Sequence, residues 1–167
     1  MYRQVADFVA DFARESKGTL KLFRAIPDSA AGQAVGPGGR TLGRLAWHIT
    51  CSLGEIARSS KVGEIEPHDD QAADPPRMAE IAATYEHNAE RLRDLFRERW
   101  TDQELDGTIQ MYGMEWKRGD VLTMIITHEA HHRGQMTVLM RQAGLAVPGI
   151  VGPAREEWAQ WGMPAQR

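Results

Sequence analysis

A single cysteine, Cys51, is all the sulfur-bridge chemistry this 167-residue chain contains, so an internal disulfide is excluded. A lone thiol suits a reducing compartment. No basic run interrupts a formal charge of −3 that is spread along the sequence, which denies nucleic acid an electrostatic footprint. No stretch of about 18 apolar residues is available to cross a bilayer. The N-terminal MYRQVADFVADFARES carries charges throughout and does not read as a signal peptide. Internal repeats, low-complexity tracts and inter-domain linkers are also missing. These absences predict one domain over residues 1–167, cytoplasmic, without a nucleic-acid or membrane partner. The apolar fraction of 42% and charged fraction of 26% are those of an ordinary globule long enough to bury a full core.

Four amphipathic segments are present. Over residues 2–24, Val5, Phe8, Val9, Phe12, Ser16, Thr19, Leu20 and Phe23 follow helical spacing. A glycine-rich loop over 30–40 precedes Thr41, which is placed to cap TLGRLAWHITCSLGEIARSS. A polar connection over 66–76 leads to a third helix, with Asp74 as its expected cap and Pro75 and Pro76 in its first turn. That helix buries Met78, Ile81, Tyr85, Leu92, Leu95 and Phe96 and ends near Trp100. After the short turn TDQELDG, alternation about Tyr112-Gly113 predicts a small hairpin, with a loop as the alternative. The fourth helix runs from Asp120, its expected cap, to Gly144, its expected left-handed close. A helical turn about Glu156 to Trp161 ends the chain. The fold class is all-α, a four-helix bundle with a short hairpin before the last long helix.

The fourth helix carries the chemistry. His128 and His132 stand one turn apart, so both imidazoles face one point, and two converging imidazoles are half of a transition-metal site. A desolvated, unpaired imidazole on an apolar face is costly, and coordination offsets that cost. The competing reading of such a pair is a core histidine bonded to a carbonyl. His48, midway along the second helix with Leu45 and Ser52 on its face, offers a third ligand. HEAHH over 128–132 also satisfies the zinc-peptidase signature, in which Glu129 would be the general base. One such class needs a glycine where Gln135 stands; the other needs a later carboxylate, for which Glu156 or Glu157 would have to serve.

The mid-helix LAWHI, the string His128-Glu-Ala-His-His132-Arg-Gly-Gln135 and the tail VPGIVGPAREEW together resemble the DinB/YfiT-like family over essentially the whole chain. The resemblance implies a four-helix bundle, usually a homodimer, with a divalent metal held by three histidines. His48, His128 and His132 are then the ligands; no role passes to His131. Three histidines on zinc leave a fourth position open, the arrangement of a catalytic site. Zinc and nickel are the expected ions, since an all-nitrogen site accepts either. Characterised relatives include transferases and isomerases that use low-molecular-weight thiols such as bacillithiol or mycothiol. The expected activity is therefore that of a thiol-dependent transferase or a hydrolase acting on a small molecule. Its alternatives are the zinc peptidase and a non-catalytic, damage-inducible stress-response dimer whose metal is structural.

Weaker candidates complete the reading. Cys51, three residues after His48, can lean toward a metal or simply be a small buried apolar residue. Glu129 can be a general base, can support a metal ligand from behind, or can pair with Arg133 one turn on. Tyr85 and Asn88 on the third helix, and Gln135 on the fourth, are candidate substrate contacts; Trp116 and Trp158 read as packing residues. Val9 with Phe12, and Ile126 with Val138, suggest second apolar sides on the first and fourth helices and hence the homodimer.

Overall fold

The computed structural model describes residues 1–71 and 74–165; residues 72–73 of the expected polar connection and the last two residues lie outside the described part. Four helices dominate: α1 (Val5–Arg24), α2 (Leu42–Ser59), α3 (Met78–Arg99) and α4 (Arg118–Gln142). Two short strands, β1 (Thr108–Met111) and β2 (Met114–Lys117), form an antiparallel hairpin before α4. Tyr112 and Gly113 both take positive φ, 54° and 74°. That is the two-residue turn whose twist matches a hairpin, and it settles the loop alternative.

In the bundle, α1 packs against α3 and α4, and α2 packs against the same two helices. The order around the bundle is therefore α1, α3, α2, α4, with α1 and α2 on a diagonal. Residues 25–41 carry the chain across that diagonal, and residues 100–117 carry it across the other, from α3 to α4. Phe8 and Phe12 stack at 5.5 Å, Phe96 meets Phe8 edge-on at 5.4 Å, and Phe23 meets Tyr85 at 5.2 Å. This aromatic seam fills the α1–α3 interface. Phe12, expected partly on an outer side, is wholly inside it; Val9 and Ile126 are half-buried and Val138 is 54% exposed.

Thr41 caps α2 as expected, its hydroxyl accepting from the Arg44 N–H at 3.1 Å. Asp74 does not cap α3. The helix starts at Met78, past both prolines, and its first N–H donates to Asp28 at 2.8 Å while Arg77 pairs with the other oxygen of Asp28. Similarly, α1 begins at Val5 rather than residue 2, with its first N–H donating to Asp102 at 2.7 Å. Both caps come from carboxylates distant in sequence, so spacing along the chain cannot reveal them. α4 starts two residues before Asp120, which lies in its first turn. Its end is as expected: Gly144 has φ 72°, Gly144 N–H donates to Arg141 and Leu145 N–H donates to Met140. That pair of bonds is the Schellman closure. TDQELDG forms a short 3-10 helix, Asp102–Asp106, opened by a Thr101–Glu104 capping box, and the tail forms another over Trp158–Trp161. No helix of the described residues is long and apolar enough to cross a membrane.

The chain between α2 and α3 is pressed onto α2 at Gly54. A Cβ there would lie 2.3 Å from the carbonyl oxygen of Ile65 and 2.6 Å from that of Pro67. Asn88 on α3 secures the same loop by donating to the Glu66 carbonyl at 3.1 Å. A glycine in mid-helix ordinarily costs about 1 kcal/mol against alanine. Here the backbone contact should invert the sign: Gly54→Ala is expected to destabilise the protein by about 1–3 kcal/mol. Urea unfolding decides it, and a stabilised variant would contradict this account of the loop.

Candidate metal centre

α2 and α4 are neighbours, and at their interface three imidazoles converge. The Nε2 of His128 lies 3.3 Å from that of His48 and 3.2 Å from that of His132. One ligand atom from each of the three lies within 4.8 Å of the others. Their outer nitrogens are held by acceptors: Nδ1 of His48 is 2.9 Å from a carboxylate oxygen of Asp70, and Nδ1 of His132 is 2.8 Å from the amide oxygen of Gln135. A carboxylate and an amide oxygen can only accept, so the protons of these two rings sit on Nδ1. Their Nε2 lone pairs therefore point inward, as metal ligation requires. Metal–nitrogen distances of about 2.0–2.1 Å in a tetrahedron place ligand nitrogens about 3.3 Å apart. The observed spacing, the donor set and the tautomers fit a divalent ion.

The electrostatics agree. Burial first, then the neighbouring histidines and Arg40, push the His128 pKa down to about 4; burial likewise lowers His132, against the bond from Gln135. Both rings are neutral at physiological pH and available as ligands. Burial works against ionisation of Asp70, yet bonds from Gln71 and His48 hold its carboxyl below the usual value. Asp70 therefore remains an anionic acceptor for His48.

The other expected site residues fall elsewhere. Glu129 is 1% exposed and its carboxylate accepts from Thr19 at 2.8 Å and from Tyr85 at 2.9 Å, on α1 and α3. It faces those helices, whereas the histidines face α2, so it is not placed as the base of a zinc peptidase. Nor is Glu129 the ion-pair partner of Arg133, which binds the side chain and carbonyl of Glu15. The reason is angular: one residue on from His128 is about 100° around the helix, toward the core. Tyr85, fully buried, supports Glu129, and Asn88 ties down the 66–70 loop; neither reaches the cluster as a substrate contact. Cys51 lines a cleft beside His48, but burial foremost, then Asp70 and Asp69, push its thiol up to about 12. As a neutral thiol it is a poor nucleophile, and among the described residues the converging ligand set is His48, His128 and His132 without it. Trp116 packs on the core as expected, and Trp158 is half-buried in the tail.

Gln135 does lie at the site, bridging His132 and, through its amide nitrogen at 3.1 Å, His131. His131 lines a cleft of about 550 Å³ with Val35, Arg40, Leu45, His132 and Gln135 among its walls. Asp70 and Arg40 were not anticipated. Both sit in loops whose composition looked like plain connection, and only the four-residue spacing of His131 and Gln135 was there to be read.

Comparison with known proteins places these observations. A family model described as the DinB family matches residues 1–163. YrdA of Bacillus subtilis (strain 168), described as uncharacterized, is 36% identical over 167 residues, spanning 100% of this chain and 99% of its own. A DinB-like protein from Bacillus cereus ATCC 10987 superposes with a TM-score of 0.83 at 33% identity, over 90% of this chain and 99% of that one. YfiT from Bacillus subtilis, described as a probable metal-dependent hydrolase with an unusual four-helix bundle topology, shares the fold. Its TM-score is 0.67 at 20% identity, over 87% of this chain and 91% of that one.

Glu129 gives this region a pH signature. Burial, against the bonds from Thr19 and Tyr85, raises its pKa from 4.5 to about 7. Between those values the folded chain holds a proton that the unfolded chain releases, so this contribution is complete below pH 4.5 and is lost as pH rises through 7. Glu129→Gln has no such loss, while the histidine contributions cancel in the difference. The unfolding free energy of the metal-free variant, relative to the parent, should rise from pH 5 to pH 8. A difference independent of pH, measured by urea unfolding, would show that Glu129 is ionised in its pocket.

Proposed function

The chain belongs to the DinB family, and we propose that it is a metal-dependent enzyme whose ion is held by His48, His128 and His132. The single observation that carries this reading is the convergence of three Nε2 atoms, two of them with their protons fixed on the opposite nitrogen by Asp70 and Gln135. When bound, a divalent ion such as zinc or nickel supplies Lewis acidity that lowers the pKa of a water or thiol toward neutrality. The protein's own residues do the positioning. Asp70 fixes the ring plane and tautomer of His48, and Gln135 does the same for His132 while steadying His131 at the cleft wall. α2 and α4, held by the core, keep the two halves of the ligand set at fixed separation.

The favoured reaction is hydrolysis of a small molecule, in keeping with the description of YfiT as a probable metal-dependent hydrolase. Transfer to a low-molecular-weight thiol uses the same site with a different nucleophile. Such a thiol would have to come from solution, because Cys51 is held protonated. A homodimer belongs to the same proposal, with Val9 and Ile126 as its outward apolar residues; light scattering at micromolar concentration that returns a strictly monomeric mass would remove it.

The central test is metal content. About one divalent ion per chain is expected by elemental analysis, with a sharp loss in each of His48→Ala, His128→Ala and His132→Ala and none in His131→Ala. Asp70→Asn should weaken affinity by about 10–100-fold, the usual effect of removing a partner that orients a ligand. Full metal retention by His132→Ala would sink the assignment.

A further inference from the structure

Two clefts flank the histidine cluster, and their charges are opposite. One, of about 450 Å³ beside His48 and His68, carries three carboxylates, Glu55, Asp69 and Asp70, against one guanidinium, Arg58. The other, of about 550 Å³, has no carboxylate among its lining residues; its charged wall is Arg40. Among the described residues no carboxylate pairs with Arg40, although its charge reaches His128, His132 and Asp70. The rest of that cleft is half apolar. Leu45 and Leu139 form its floor at 3% and 2% exposure, while Val35 and Val138 stand at 75% and 54% exposure. Singly exposed valines need no explanation, but two on one concave surface beside an unpaired guanidinium and a ring of imidazoles do.

The glycine-rich segment is what brings Arg40 there. Gly39 N–H donates to the Gly36 carbonyl at 3.0 Å and Gly38 takes φ 76°, a tight turn that directs the chain back onto α2. Arg40 follows immediately, just before the cap Thr41. A guanidinium forks naturally onto a carboxylate and cannot lose its charge.

We propose that the larger cleft is a binding site for a small carboxylate with an apolar body, Arg40 taking the carboxylate beside His132 and Gln135 while Val35, Leu45, Val138 and Leu139 take the body. As the substrate site of the metal centre, the cleft rests on the function proposed above; as a binding site for the anion, it stands on its own lining. The acidic cleft on the His48 side turns such a ligand away, so approach is from one side.

Octanoate, its neutral counterpart octanamide and the short acetate test each part. Isothermal titration is run on the full chain, metal-free and zinc-loaded. Octanoate should bind the metal-free protein, Arg40→Gln should weaken it by about tenfold or more, and Arg40→Lys, which keeps the charge but not the fork, should recover only part of that loss. Octanamide should be indifferent to the substitution, and acetate should bind much more weakly than octanoate. Arg40 lies in an exposed turn, and zinc uptake by Arg40→Gln at the parent level confirms that the variant is intact. Equal octanoate affinity for the parent and for metal-free Arg40→Gln would overturn the anion site, as would acetate binding as tightly as octanoate; either leaves the metal reading in place. If zinc does not bind the parent while octanoate still depends on Arg40, the metal reading falls and the anion site stands.

Discussion

Three converging imidazole nitrogens, that of His128 little more than 3 Å from each of the other two, form an arrangement that a fold must impose. Lone pairs repel at that distance unless something positive lies between them. Two features of this molecule impose it. The proton of two rings is pinned to the outer nitrogen by a carboxylate and an amide, so those rings cannot turn a proton inward to relieve the contact. The helices bearing them are also fixed by a core that continues past the site on both sides, from the Phe8–Phe12–Phe96 seam to the buried Met136, Leu139 and Met140. Interiors packed this densely shift little, and ligand geometry inherits that stiffness.

A second set of polar groups lies one helix face away and serves a different end. Thr19, Tyr85 and Glu129 share hydrogen bonds across α1, α3 and α4, and Arg133 reaches Glu15 and Thr19 beside them. Each group is satisfied by a partner on another helix, so the cluster rewards one mutual register of three helices and penalises slippage. The tail adds to the same region. Ile150 lies against Gly18, where a Cβ would come within 2.5 Å of it, and Glu157 accepts from the backbone at Gly149 and Ala154 while facing Lys21. α1 is thus clasped from the side opposite the aromatic seam.

How much of this was legible in the sequence depended on whether the responsible partner was local. Helical periodicity, the Thr41 cap, the Gly144 close and the Tyr112-Gly113 turn are short-range facts and were readable. So was the i, i+4 pair His128 and His132, and with it His48 on an apolar stripe. What escaped depends on groups brought together by the tertiary fold. Asp28 and Asp102 cap helices far away in sequence, which is why Asp74 and residue 2 were the wrong starting points. Asp70 orients His48 from a loop with no periodic signal, and Arg40 occupies a turn that read as connection. Glu129 was misread for a related reason. A motif gives the order of residues, whereas the face that a glutamate shows depends on which helices surround it.

The diagonal placement of α1 and α2 has a bearing on how the protein comes into being. His48 and His128 stand 80 residues apart in sequence, and the helices between and around them do not form a series of adjacent hairpins. A chain emerging from a ribosome exposes His48 long before α4 exists, and α2 can find α3 but not its partner in the site. Long-range closure of this kind comes late in folding, because the loop entropy must be met before the contact can reward it. The complete three-nitrogen set is therefore a property of the finished molecule. A chain that still lacks α4 offers a metal ion one of the three nitrogens, and one without α2 would offer two.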